Sequence, residues 1–138
     1  MVLTKKLKVK KPKKVNREAR EKKMRARWSN IVRAFGLCER CNSREVLQAH
    51  HIVYVGRAAH MRYDINNGIC LCRRCHKWIH NEAPTVVNKF LADTLGQSRL
   101  DCLNDDRYTD VKRDIAWVDF WEQQLEEDYK KTFGSESV

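Results

Sequence analysis

The sequence predicts an α+β fold: a small core of two strands and a helix tied together by a four-cysteine zinc knuckle, with a basic helix before it and further helices after it. Three observations predict it. Two Cys-x-x-Cys pairs, Cys38 with Cys41 and Cys72 with Cys75, are separated by thirty intervening residues. Between them, residues 46–55 (VLQAHHIVYV) are β-branched and apolar enough for a strand, and residues 69–71 read as a short return strand. Outside them, apolar residues recur at helical spacing in three stretches. At 138 residues the chain holds one core at most, since single domains take about 100 to 150 residues, and a core that small needs a staple.

Taken in order, residues 1–15, with KKLKVKKPKK at their centre, are low in complexity and self-repelling and are expected to be a disordered basic tail. Residues 16–36 form a basic helix that Asn16 can cap and Gly36 can stop, with Trp28, Ile31, Val32 and Phe35 on one face. That leaves Arg17, Arg20, Lys22, Lys23, Arg25 and Arg27 to face solvent or a polyanion. Residues 37–83 are the core: a CERC knuckle, the first strand, a loop at 56–67 containing Arg57, His60 and Arg62, the return strand, and a helix beginning in CRRCHKWIH. Residues 84–138 form a helical extension. Its first helix spans 85–95 and ends at Gly96, and its last spans 108–130 with Val111, Ile115, Val118, Trp121, Leu125 and Tyr129 as a stripe for the core or a partner. There is no internal repeat.

Net charge is +10 and unevenly spread. Residues 1–27 carry thirteen Lys or Arg against Glu18 and Glu21, residues 28–80 carry eight against three, and residues 81–138 carry seven against thirteen. A basic flank beside a mildly basic centre is the footprint of a polyanion binder, because each neutralised phosphate releases counterions. A solubilising tail is the competing reading. No apolar run approaches the roughly 18 residues that cross a bilayer, and the lysine-rich start has no apolar signal region behind it, so a cytoplasmic protein without a membrane partner is expected.

Cysteine pairs in a chain without an export signal favour metal over disulfide. Cys38, Cys41, Cys72 and Cys75 supply four thiolates for tetrahedral Zn2+, and a closed four-sulfur site has no open position for substrate, so it is structural. Redox-active pairs compete with this reading, but neither pair lies in a thioredoxin-like βαβ pattern. Cys70 and Cys102 are left over, Cys70 as a buried strand residue. A second cluster joins His50 and His51 on the first strand, Asn67 before the second, and His76 and His80 on the helix. His76 and His80 are four apart and share one helical face, so they can grip one ion. Adjacent strand residues point to opposite faces, so His50 and His51 have different jobs unless the strand twists. His60 is left as a candidate nucleic-acid contact.

The strings CERC, LQAHHI and YDINNGICLCRRCHKWIH, spanning residues 38–80, together resemble the HNH endonucleases. That resemblance implies a ββα-metal fold of two strands and a helix around one divalent ion. It implies His51 as the general base and Asn67 as the residue that orients it and ties down the loop. His76 becomes a metal ligand, with His80 and His50 as the second and third, for Mg2+, Mn2+, Ni2+ or Zn2+. Where family members often carry a proline after the histidine pair, this chain has Tyr54 and its neighbours, which changes the loop's path and removes no chemistry. The flanks are similar to those of the phage NinG and Rap recombination nucleases, which resolve branched DNA. Those have glycine before the histidine and lack the His-x3-His pair, so the base position carries over and branch specificity does not. Short basic HNH proteins are common in phages, which implies the host cytoplasm.

The chemistry implied is metal-dependent hydrolysis of DNA phosphodiesters, nicking or cleaving, to 5′-phosphate and 3′-hydroxyl ends. Arg57, Arg62, Arg73 and Arg74 are candidates to hold flanking phosphates, because a guanidinium forks onto two oxygens. The basic helix adds Arg17, Arg20, Arg25 and Arg27. The rival reading is a non-catalytic zinc-containing DNA-binding module, which the basic flank and zinc knuckle fit equally well. A monomer and a homodimer are both compatible with the pattern.

Overall fold

The computed structural model describes residues 15–134, so all but the last residue of the basic tail expected at 1–15, and the side chain of Asn16 expected to cap the helix, lie outside what is described, while Val15 already begins the helix. Helix α1 (Val15–Arg33) buries Met24, Trp28, Ile31 and Val32, whose spacing of four, three and one keeps them on one stripe. It stops short of Gly36, which sits at φ +82°, and Phe35, expected on the buried face, is 61% exposed because the chain has already left the helix.

Strands β1 (Leu47–His51) and β2 (Gly68–Cys72) pair antiparallel, with Leu47 opposite Cys72 and His51 opposite Gly68. All five residues of β2 are buried. Cys70 points into a core shared with α1, whereas Ile69 and Leu71 point into a second core with Ile79 and Leu91. The alternation of a strand thus feeds two cores at once. The first strand is half the length expected from 46–55. Val46 at φ +48° opens it, and after His51 the backbone N–H of Ile52 donates to the carbonyl of Asn67 while Val53 is gripped by the Asn67 side chain. The first bond continues the ladder by half a rung, and the Asn67 side chain then takes the place of a strand partner for Val53, so the chain leaves the sheet for a loop in which Val53 packs with Ala58, Met61 and Leu103.

Helix α2 (Arg73–Asn81) follows β2 without a linker and α3 (Pro84–Leu95) runs as expected. The extension then departs from the sequence reading. Gly96, at φ +90°, ends α3 and also starts α4 (Gln97–Asp106), which buries Leu100 and Leu103. Helix α5 (Ile115–Phe133) begins seven residues later than expected, because the Asp114 carboxylate accepts from the Trp117 N–H and so caps the helix there. Val111 packs from the preceding loop.

The stripe of α5 packs on α1, with Trp117, Val118 and Leu125 buried against Met24 and Trp28. Polar bonds mark the same seam. Arg20 donates to Glu122 at 2.9 and 3.0 Å and to Asp119 at 2.5 Å, Arg17 donates to the carbonyl of Arg113, and Tyr63 donates to Glu21 at 2.7 Å. The Arg20 pairs are part-exposed, so each contributes about 0.2–1 kcal/mol at most. They nonetheless correct one expectation: Arg17 and Arg20 are committed to the C-terminal extension rather than open to a polyanion. Among the described residues, no helix is long and apolar enough to cross a membrane.

Leu125 is fully buried at the centre of this seam. Leu125→Ala is expected to cost about 2–5 kcal/mol of stability, read from the midpoint of a urea melt. A parental midpoint would place the α1–α5 seam outside the cooperative core.

Candidate active site

The four-sulfur cluster is built where the CERC turn meets the end of β2. The Cys38 N–H donates to Ser43 O at 2.8 Å, and Asn42, at φ +64°, closes the turn by donating to Cys38 O. Glu39 clamps the turn onto β2, its N–H donating to Cys70 O and its carboxylate accepting from Cys70 N–H at 2.7 Å. Cys72 ends β2 and caps α2, its sulfur accepting from the Cys75 N–H. The sulfurs of Cys41 and Cys72 lie 3.7 Å apart, against about 3.8 Å for one edge of a zinc tetrahedron with bonds near 2.3 Å. The donor chemistry fits as well. Burial opposes ionisation of Cys38, but backbone hydrogen bonds hold it down to about 6, whereas burial pushes Cys75 up to about 12. Several thiolates share such a space only around a cation. Cys70 is buried, outside the cluster and pushed up to about 11 by burial and by Glu39.

The second cluster lies across the sheet from α1. His50, His76 and His80 offer ring nitrogens within 4.8 Å of one another. His76 and His80 meet through their Nε2 atoms at 3.1 Å, close to the roughly 3.3 Å expected for two nitrogens bound tetrahedrally at about 2.05 Å. His76 Nδ1 donates to Gln48 Oε1 at 2.6 Å, which leaves Nε2 as the lone pair turned toward the cluster. Sequence reasoning missed Gln48, although it stands two residues before His50 and therefore on the same strand face. His50 is 5% exposed. Burial, then charge on His76 and His80, pushes it down to about 3, and burial also lowers His76, which favours the neutral rings that a metal ion needs.

His51 faces the other way, as the alternation requires. Its ring stacks on Trp28 with centroids 3.9 Å apart and planes 5° from parallel. Its Nε2 lies 3.0 Å from the carbonyl of Arg62; the neutral ring donates there and keeps its lone pair on Nδ1. Burial holds His51 below the ordinary histidine range. A cavity of about 320 Å³ opens beside it, lined also by Arg25, Arg62 and Ser29.

Asn67 is fully buried. Its side chain accepts from Val53 N–H at 2.8 Å and donates to the carbonyls of Val53 and Met61 at 3.1 and 3.3 Å. It therefore ties down the loop, while the bond that orients His51 comes from the Arg62 carbonyl. Arg57, Arg73 and Arg74 are exposed. Arg62 is half-buried, with a buried Nε that has no partner among the described residues. Arg27 lies over the Tyr129 ring, 5.0 Å from its centroid. His60 is engaged by the carbonyl of Asp106 at 2.7 Å, which removes it from the candidate contacts.

A family model described as HNH endonuclease matches residues 37–82. Residues 37–82 are thus similar to an HNH domain. No curated protein and no solved structure matches. The HNH segment holds the four cysteines, His50, His51, Asn67, His76 and His80, so the mixed helical and two-stranded architecture is that of a small ββα-metal core. Trp28 and Arg25 lie outside the segment.

Two outcomes are expected here. Gln48→Ala should weaken divalent-metal binding at the histidine cluster about 10–100-fold by calorimetric titration, while the zinc content of the cysteine cluster stays unchanged. Cys72→Ser should lose that zinc and unfold cooperatively at lower temperature than the parent; a parental melt in the presence of chelator would contradict a structural metal.

Proposed function

We propose that this chain is a metal-dependent endonuclease that hydrolyses DNA phosphodiesters to 5′-phosphate and 3′-hydroxyl ends, with His51 as general base. The observation that carries the reading is the division of labour between adjacent histidines. One is locked into a three-nitrogen cluster, and the other is held apart with a free lone pair beside an arginine-lined cavity.

A divalent cation, Mg2+, Mn2+, Ni2+ or Zn2+, held by His50, His76 and His80 would neutralise charge growing on the scissile phosphate and on the departing oxygen. His51 Nδ1 takes a proton from water as its oxygen attacks phosphorus, and the bond from phosphorus to the 3′ oxygen breaks. The lowered pKa of His51 keeps this nitrogen unprotonated near pH 7. Asn67 acts by fixing the loop that delivers the Arg62 carbonyl. Arg25 and Arg62 beside His51, and Arg57, Arg73 and Arg74 on the exposed surface, hold phosphates of the same strand. Arg27, two residues further along α1 and held over Tyr129, lies on another side of the helix and is not part of this surface. The four cysteines keep their Zn2+ as a structural staple.

One such site cuts one strand, so a monomer nicks and a homodimer cuts both. The protein acts in the cytoplasm, as a phage-encoded enzyme would in its host.

His51→Ala is expected to abolish nicking of supercoiled plasmid with every metal while leaving plasmid binding at the parental level and the protein folded, although loss of the stack on Trp28 lowers its melting temperature below the parent's. A fully active His51→Ala protein removes the assignment. A parent that binds plasmid and branched substrates yet cuts neither with any metal is a zinc-containing DNA-binding module instead.

A further inference from the structure

We infer that Trp28, on a helix outside the HNH segment, is a positioning residue for the reaction: it sets the plane of the His51 ring and so the direction of the Nδ1 lone pair. The inference rests on the nuclease reading above and deepens it.

The hydrogen bond from His51 Nε2 to the Arg62 carbonyl fixes one direction in the imidazole but leaves the ring free to rock about that bond. Rocking swings Nδ1, the atom that must meet the water. The indole of Trp28, parallel to within 5° at 3.9 Å, removes this freedom by presenting a flat wall to one whole face. The wall is itself anchored. Trp28 is 4% exposed, and its Nε1 donates to the Asp64 carbonyl at 2.9 Å. The Asp64 carboxylate accepts from Asn66 N–H at 2.9 Å, in the turn that also carries Asn67.

Gly68 supplies the independent observation. It stands directly opposite His51 in the β-ladder, and paired residues of an antiparallel ladder share a face. A Cβ on Gly68 would overlap Val32 Cγ2 and lie 2.9 Å from Trp28 Cζ2. The absence of a side chain at this one rung lets α1 approach the sheet closely enough for Trp28 to reach the imidazole. Sheet glycines of this kind mark close approach. Here the group that approaches is the wall of the base. It follows that α1, and α5 which braces it, belong to the working nuclease, and that the matched segment alone lacks a fixed base.

The test uses full-length protein loaded with metal, with plasmid nicking as the reaction. Trp28→Leu keeps an apolar filler and deletes the wall. It is expected to lower kcat by about a hundredfold, the scale of an ångström misplacement, while KM for plasmid stays within about twofold of the parent and metal uptake at the histidine cluster is unchanged. Trp28→Phe keeps a ring and should restore most of kcat. Gly68→Ala displaces the indole without removing it and provides a second route should Trp28→Leu fail to fold; it should lower kcat with KM preserved, and Val32→Ala in the same chain should recover part of the loss. The His51 ring protons should resonate upfield in the parent and return downfield in Trp28→Leu as the indole's shielding is lost. A folded, metal-loaded Trp28→Leu or Gly68→Ala protein with parental kcat overturns this inference alone and leaves His51 as the base. An inert parent overturns the nuclease reading and this inference with it.

Discussion

Five rungs of antiparallel pairing between β1 and β2 constrain everything else in the molecule. Because successive side chains on a strand must point to opposite faces, two histidines placed side by side cannot do the same job. His50 is delivered to one core, where α2 brings His76 and His80 to it, and His51 to the other, where α1 meets it. The candidate site therefore has two halves on two sides of one thin sheet, near the end where β1 leaves it. The bonds from Asn67 hold the chain just after His51, so both histidines occupy the last two positions of β1.

So short a ladder would not persist alone, since an isolated two-stranded ribbon is marginal in water. The cysteine cluster closes one end of it. Cys72 is at once the last rung of β2, a candidate thiolate ligand and the cap of α2, so the cysteine cluster, the sheet and the helix that carries His76 and His80 share one residue. Arg40 covers the cluster from outside, stacked at 3.7 Å on Trp78 with its guanidinium donating to Cys75 Sγ. The other end is held by packing: α1 lies on the sheet through Gly68, and α5 lies on α1. One half of the site thus leans on the cysteine cluster and the other on a hydrophobic seam, and the two can be damaged separately.

Much of this was legible in the residues. Paired Cys-x-x-Cys units, a doubled histidine and a His-x3-His pair are local patterns whose geometry follows from strand and helix periods, so the cysteine cluster, the His76–His80 pair and the opposed histidines could be read directly, whereas the choice of His50 over His51 to join that pair came from the resemblance to the HNH endonucleases. What escaped depended on tertiary contact. The second strand half, 52–55, has strand-like residues, yet side-chain bonds from Asn67, distant in sequence, outcompete the ladder. Gly96 reads as a stop and serves also as a start, which hid α4. Arg17 and Arg20 look like free positive charge until the acidic face of α5 is placed against them. Trp28 reads as one more apolar helix residue, and only the register that sets Gly68 opposite His51 gives it a role.

We propose that one chain holds two separate metal centres, one closed by sulfur and one formed by His50, His76 and His80, with His51 turned away from the second. Diffraction from zinc-grown crystals, measured above and below the zinc absorption edge, distinguishes this arrangement from its rivals. Two anomalous peaks per chain are expected, one among the four cysteine sulfurs and one among the three histidine nitrogens, with the His51 ring against Trp28 and outside both. A single peak at the cysteines, or a second peak ligated by His51, would contradict it.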